Sequence, residues 1–296
     1  MTTDARSYRV AIVGAGKIGL PLAAQCCKRG ATVTVCDINA NVVDLINAGK
    51  APFYEPGLDD LLASAHQSGK LTATTDTSKG VSGCSVVVIV VPALLTKQRN
   101  FDNGNLISAS RDVAVGLQKN SLVCYETTMP VGATRNTFTP IFEEFGFKPG
   151  KDMFVAFSPE RVKSLKFFDY IDLTPKVTGG IDDESSRKAA HFYRACVSNS
   201  VIDLKASEAA EFVKLAGMAY RDVNIGLANE LAFYAEKAGL NGWDILAAAN
   251  TDNETNLLHP GIGVGGHCTP VYPYFLLAGG EKLGAQQELS QMARKV

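Results

Sequence analysis

The residues from Pro260 to Pro270 read Pro-Gly-Ile-Gly-Val-Gly-Gly-His-Cys-Thr-Pro and end on one cysteine, Cys268, held between small neighbours. Glycines at 261, 263, 265 and 266 permit positive φ and let backbone N–H groups approach a ligand closely. Such a loop would present Cys268 as a thiolate nucleophile, and His267 beside it is a group able to lower the thiol pKa if the two side chains meet. A small buried hydrophobe in a glycine turn is the competing reading, the common fate of a free cysteine.

A second chemical signal lies at the other end of the chain. Gly14-Ala15-Gly16-Lys17-Ile18-Gly19 follows a strand pattern at Arg9–Val13 and opens a helical pattern from Leu20 to Arg29. Gly30 then stops the helix, and a second strand pattern, Ala31–Cys36, ends at Asp37. In a dinucleotide fold the first glycine makes the turn, the second admits the pyrophosphate and the third lets helix and strand pack. The phosphates rest on the helix N-terminus, where unpaired N–H groups and the dipole favour anions. Asp37 stands where a carboxylate binds ribose hydroxyls, and no arginine follows in Ile38–Asn41, which favours NAD over NADP. A glycine turn in some other βαβ unit is the plainer alternative. The candidate cofactor residues are therefore Gly14, Gly16, Lys17, Ile18, Gly19 and Asp37, with Pro92 and Thr128 from later loops.

The elements that must position these residues follow in order. A helix is expected over Val42–Gly49, then a proline-punctuated loop at Ala51–Leu58 in which Glu55 is either a ligand-facing carboxylate or a helix-entry acid. Thr72–Thr75 and the β-branched run Cys84–Val91 read as strands of a sheet covered on both faces, and Pro92 ends the second. Asn105–Leu117 reads as helix, Ser121–Tyr125 and Phe154–Phe157 as strands, each strand running into a polar loop: Glu126–Thr134, then Ser158–Arg161. Successive junctions of this kind predict one ligand-binding edge at the carboxyl ends of the strands. From about residue 205 the texture turns helical, with an unbroken pattern over Ala206–Gly239 that suits a spine or a dimer interface, and another over Asn241–Ala249. The expected fold is a Rossmann-type doubly wound parallel α/β sheet over 1–204, followed by a helical domain over 205–296 that carries the cysteine loop.

Composition excludes several classes. A net charge of −1 offers no basic excess for nucleic acid, and no apolar run reaches membrane-spanning length. The first seven residues lack a signal-peptide core, which makes a cytoplasmic location the default. The seven cysteines are odd in number and irregularly spaced, as in a reducing compartment, and no Cys/His spacing suits a metal.

Taken in order, several stretches carry a family resemblance: Gly14–Gly19, Tyr54–Leu58, Glu126–Thr128, Ser158–Val162, Lys214 with Arg221–Ile225 and Asn229–Leu231, and Gly265–Pro270. Together they resemble the UDP-glucose/GDP-mannose 6-dehydrogenase family over essentially the whole chain, and most closely its UDP-N-acetylhexosamine branch. The resemblance implies an NAD-dependent oxidation of a nucleotide-sugar C6 alcohol to the uronic acid, through a cysteine thiohemiacetal and thioester, in a cytoplasmic homodimer serving polysaccharide biosynthesis. It implies that Cys268 is the nucleophile, that Lys214 stabilises the oxyanion or shuttles its proton, that Glu160 is the base for hydrolysis, and that Thr128 positions the water. Glu160, Arg161, Lys214, Gly265 and Gly266 would line the substrate. The residues alone also allow Lys214 to be a solvated helix lysine and Glu160 a cap carboxylate stapled to Arg161.

Departures from the family pattern accompany the matches. Met218 stands where an asparagine normally helps hold the oxyanion, and Val271-Tyr272-Pro273 replaces a Pro-Val-Asp-Pro run. Ala93 follows Pro92 where threonine is usual, and Lys163–Leu165 replaces a Pro-Gly turn. Family members run on into a third domain, whereas this sequence stops at Val296. The resemblance thus leaves two alternatives beside the double oxidation: a single-step or altered-substrate alcohol dehydrogenase, or a catalytically silent NAD-binding partner subunit.

Overall fold

Val10, Ala11 and Ile12 are wholly shielded from solvent, as the middle of a parallel strand covered by helices on both faces must be. They belong to the first strand of a computed structural model that describes residues 4–266 and 268–296. His267, proposed above as a neighbour of the thiol, lies outside the described residues.

The elements run β1 (Arg9–Val13), α1 (Gly19–Arg29), β2 (Thr32–Cys36), α2 (Ala40–Asn47), α3 (Leu58–Gln67), β3 (Leu71–Thr74), α4 (Thr77–Val81) and β4 (Val86–Ile89). A small two-stranded sheet of β5 (Leu94–Leu95) and β6 (Phe101–Asp102) follows. Then come α5 (Gly104–Gly116), β7 (Leu122–Tyr125), a π-helical turn at Thr134–Phe138 that runs into α6 (Thr139–Glu144), β8 (Phe154–Phe157), α7 (Phe167–Tyr170), β9 (Lys176–Gly180), α8 (Asp183–Cys196) and β10 (Val201–Ala206). The helical remainder is α9 (Ser207–Lys237), α10 (Gly242–Ala249), α11 (Tyr272–Leu283) and α12 (Glu288–Ala293).

The large sheet has the order β3-β2-β1-β4-β7-β8-β9-β10. All pairs from β3 to β8 are parallel, so the chain winds outward from β1 in both directions, the doubly wound arrangement that the sequence pattern predicts. The sheet is not wholly parallel: β9 runs antiparallel to β8, with β10 parallel to β9. These two strands escape the sequence pattern for a physical reason. β9 is Lys-Val-Thr-Gly-Gly, and its glycines are there because a Cβ at Gly179 would sit 2.0 Å from Ala206 O and one at Gly180 2.2 Å from Ser186 N. β10 alternates polar and apolar residues and carries a register shift between Asp203 and Ala206, with Lys205 at φ 67°.

The chain forms two compact units. One comprises the chain up to Ala93 with Asp102–Thr128 and Gly132–Glu211, and holds the sheet. Its core gathers Val10, Ile12, Leu20, Val33, Val88 and Phe192, each side chain contributing about 1.5–3 kcal/mol by leaving water. The other comprises Leu94–Phe101, Met129–Val131 and Phe212–Val296, with a smaller core of Leu215, Tyr272, Phe275 and Leu276. Among the described residues no helix is long and apolar enough to cross a membrane.

In the sheet unit the first turn of α9 is tied down by a buried carboxylate. Glu211 accepts hydrogen bonds from Gly132 N at 2.5 Å, Thr134 N at 2.8 Å and Thr134 Oγ1 at 2.6 Å. Burial pushes its pKa up to about 7, against the pull of those three donors. A raised carboxyl pKa in the folded state favours folding fully below the ordinary glutamate value and loses that contribution as pH rises towards 7. Relative to Glu211→Gln, the wild type should therefore lose stability in thermal melts between about pH 4.5 and 7. Equal slopes in the two proteins would show that Glu211 makes no such contribution.

Candidate active site

The carboxyl ends of the parallel strands form a single edge, and the sheet unit's candidate residues all follow from it. Gly14, after β1, has φ 107°, and a Cβ there would come within 2.9 Å of Val90 O. Its N–H donates to Cys36 O at 2.8 Å, while Ala15 N and Asn39 N donate to the two oxygens of Asp37 at 2.8 and 2.9 Å. Gly19 allows α1 to close on the turn, since a Cβ would sit 1.9 Å from Gly14 O. A Cβ on Gly16 would meet nothing within 4 Å, and no side chain caps α1, whose N-cap is Ile18. Open space before an uncapped helix N-terminus, with Asp37 at the end of the neighbouring strand, fits a dinucleotide pyrophosphate and ribose. Lys17 and Ile18 belong to the same turn, Lys17 exposed and Ile18 half-buried.

Pro92 is exposed after β4, and the loop there is fastened to the next one by Thr127 Oγ1, which donates to Val91 O at 2.6 Å. Thr128 follows and is buried. Two residues before it, Glu126 belongs to a cluster of charge that the sequence did not announce. Lys176 Nζ, at the start of β9, donates to Glu126 Oε2 at 2.8 Å and to Glu160 Oε2 at 2.9 Å. Glu126 accepts a further bond from Tyr193 OH at 2.8 Å, and Glu160 Oε1 receives the N–H groups of Arg161 and Val162 at 2.6 Å each. The side chains of Lys176, Glu126 and Glu160 are 4%, 0% and 9% exposed. Burial pushes Glu126 upward, partly offset by Lys176; burial likewise works to strip the lysine, but the two carboxylates outweigh it and hold the ammonium above its ordinary value. One lysine in a Pro-Lys-Val-Thr-Gly-Gly run carries no signal by residue type; only the antiparallel return of β9 brings it to Glu160.

Arg161, expected among the substrate ligands, turns its Nη2 onto Pro175 O, and its Nε is buried without a hydrogen-bond partner. Glu55 takes neither of the two roles open to it from sequence. Its buried carboxylate accepts from Leu165 N at 2.7 Å and Phe167 N at 3.0 Å, holding the segment that follows Glu160.

In the helical unit, Lys214 is half-buried on α9, one turn before Met218, so the two share a helix face. Cys268 and Met218 both pack on the core of Leu215, Tyr272, Phe275 and Leu276. Thr269 Oγ1 donates to Met218 Sδ at 3.9 Å, so the thioether occupies the flank of the cysteine turn. Cys268 is partly exposed, unlike the other six free cysteines, which are buried. Its carbonyl receives Tyr272 N at 2.9 Å and so starts α11. Gly265 and Gly266 are exposed, the latter at φ 91°, in open space.

The buried amides of α9 hold the approach to this loop. Asn224 donates to Asn256 O at 2.7 Å and accepts from Leu258 N at 2.8 Å, and Asn229 accepts from Gly261 N at 2.9 Å. Those bonds account for asparagines that the resemblance only matched. Arg294 pairs with the buried Asp222 at 2.8 Å and reaches Pro270 O at 3.5 Å, at the end of the loop. Among the described residues no group of three or more His, Cys, Asp or Glu could hold a metal ion.

These arrangements belong to a dinucleotide-binding sheet with a separate cysteine-bearing helical unit, the architecture of nucleotide-sugar dehydrogenases. Residues 8–197 match the NAD binding domain of the UDP-glucose/GDP-mannose dehydrogenase family and residues 208–296 its central domain; the chain belongs to that family. It is 36% identical over 270 residues to a UDP-N-acetyl-D-mannosamine dehydrogenase of Pyrococcus horikoshii, covering 91% of this chain and 64% of that one. An NDP-N-acetyl-D-galactosaminuronic acid dehydrogenase of Ralstonia nicotianae is 34% identical over 275 residues, with 90% and 64% covered. The solved structure of the Pyrococcus horikoshii UDP-D-ManNAc dehydrogenase superposes with a TM-score of 0.91 at 34% identity, covering 97% of this chain and 67% of that one. The chain therefore spans about two thirds of the length of these relatives.

Proposed function

We propose that the chain carries the NAD-dependent oxidation of a UDP-N-acetylhexosamine-like sugar at C6 to the uronic acid. The observation that carries the reading is the 36% identity, over 91% of the chain, to a UDP-N-acetyl-D-mannosamine dehydrogenase, in a protein that keeps both the dinucleotide edge and the cysteine loop. Gly14–Gly19 and Asp37 would hold NAD, which when bound supplies the two-electron acceptor for each oxidation.

The chain's own residues then divide the remaining work. The Cys268 thiolate adds to the C6 aldehyde, and Lys214 steadies the oxygen on which charge develops. Loss of two further electrons leaves a thioester on Cys268. Thr128 orients a water, Glu160 takes its proton, and the carbonyl–sulfur bond breaks to give the carboxylate. Arg161, Gly265 and Gly266 would contact the substrate, Pro92 and Thr128 the cofactor.

In this reading the NAD-binding domain spans about 1–204 and the helical domain 205–296. Phe212, Tyr220, Leu227, Leu231 and Tyr234 stand exposed along α9, which supports a homodimer built on that helix. A cytoplasmic location accords with seven free cysteines.

Met218 favours a second reading. A thioether packed on the same core as Cys268 donates no hydrogen bond to an oxyanion, which suits an enzyme that stops at the aldehyde. Incubation of the purified chain with NAD and a panel of UDP-sugars separates the readings: two NADH per uronic acid supports the double oxidation, one NADH with an aldehyde supports the second. NAD binding without turnover of any sugar would point to a silent partner subunit instead.

A further inference from the structure

Glu126 and Glu160 each place an oxygen within 2.9 Å of one nitrogen, Lys176 Nζ, in a region nearly closed to solvent. Two buried carboxylates that close do not both stay ionised without a cation between them; the pair retains a proton instead. Glu160 is also fixed from its other oxygen by two backbone N–H groups, and Glu126 by the Tyr193 hydroxyl. We propose that Lys176 is a positioning residue for Glu160: it bridges Glu160 to Glu126, keeps both carboxylates ionised, and holds Glu160 in the one orientation from which it takes the proton of the hydrolytic water. The inference rests on the thioester reading above. In that step the water oxygen bonds to the thioester carbon, the carbon–sulfur electron pair leaves with Cys268, and one water proton passes to Glu160; nothing is oxidised or reduced.

Several ionisable groups lie around the lysine and its two carboxylates. Glu126 and Cys124 come from β7 and its end, Glu160 and Arg161 from the loop after β8, Tyr193 from α8 and Cys26 from α1. Burial pushes the two thiols and the phenol upward, so these keep their protons through neutral pH. The Tyr193 ring, 5.2 Å from the ammonium, adds to the cation's hold. Lys176 thus balances the two carboxylates from between them, at hydrogen-bond distance from each, and the Arg161 guanidinium adds positive charge on the Glu160 side.

The test uses the full chain and two readouts. Infrared difference spectra at neutral pH should show a protonated-carboxyl band in Lys176→Met that is absent from wild type and from Lys176→Arg. The same band should vanish in Lys176→Met/Glu126→Gln, where one carboxylate of the pair is gone. With UDP-N-acetylmannosamine and NAD, intact-protein mass spectrometry should show acyl-enzyme accumulating in Lys176→Met, its hydrolysis slowed about 100-fold, near the low end of what general-base catalysis supplies. KM values should stay put, and the double variant should recover at least about tenfold, since Glu160 no longer shares a proton. A merely structural lysine would give no such recovery. Lys176→Gln, which keeps hydrogen-bond donors without the charge, carries the same test where methionine prevents folding. No band together with wild-type hydrolysis, or a double variant slower than the single, would overturn the inference. Bands in the variants as expected, together with a wild type that forms neither NADH nor acyl-enzyme, would instead overturn the functional reading, leaving the lysine's electrostatic role standing.

Discussion

Cys268→Ala is expected to lower uronic acid formation by about three orders of magnitude or more, the scale on which deleting a covalent nucleophile acts. The alanine protein should fold and bind NAD as wild type does. Cys268 is partly exposed at the margin of its core, so removing the sulfur costs about 1 kcal/mol at most, and the dinucleotide edge is built from other residues. Any remaining product should be at the aldehyde level, because without the thiol there is no covalent adduct to oxidise a second time. Cys268→Ser separates attack from release: an alkoxide is a poorer leaving group than a thiolate, so an ester formed on Ser should persist and be seen as added protein mass. Uronic acid formed by Cys268→Ala at the wild-type rate would remove the covalent mechanism from consideration.

The sequence exposes some parts of this protein and hides others for reasons that are physical. β1, α1 and β2 are legible because each obeys a local rule: β-branched burial, a helical pattern, and Gly30 in the left-handed region accepting the end of α1. α9, read as 206–239 and observed as Ser207–Lys237, is legible through the absence of breakers over its length. β9 and β10 are not, since a strand of lysine and two glycines depends on neighbours distant in sequence for its identity. The same holds within the candidate site. Glu160 is visible in its Ser-Pro-Glu-Arg context, but Lys176, 16 residues on, becomes its partner only through an antiparallel turn of the chain. Glu55 and Glu211 are likewise ordinary acids in sequence, and their backbone donors, 110 and 79 residues away, are supplied by topology.

Gly16→Ala and Gly19→Ala are expected to fail in opposite ways, although they are three residues apart in one motif. At Gly19 the new Cβ would lie 1.9 Å from Gly14 O and 3.1 Å from Gly14 C, both backbone atoms of the turn that starts the fold. Neither atom can rotate away, so α1 must lift from β1, at a cost of about 3 kcal/mol as for other overpacked interiors. Urea unfolding should report that loss directly as a lower midpoint. At Gly16 the Cβ would enter open space, and the residue is absent from the positive-φ glycines, so alanine is tolerated and leaves stability within about 1 kcal/mol. In the proposed reading, alanine there fills the room through which a pyrophosphate approaches the N-terminus of α1. Calorimetric titration should therefore show NAD affinity falling at least about tenfold in Gly16→Ala while its urea midpoint stays near wild type. If Gly16→Ala bound NAD normally, the phosphates would have to rest elsewhere on the edge; if Gly19→Ala unfolded at the wild-type midpoint, the helix would have more freedom than a 1.9 Å approach allows. With those outcomes the two variants would divide one fingerprint into a glycine that the fold requires and a glycine that the cofactor requires.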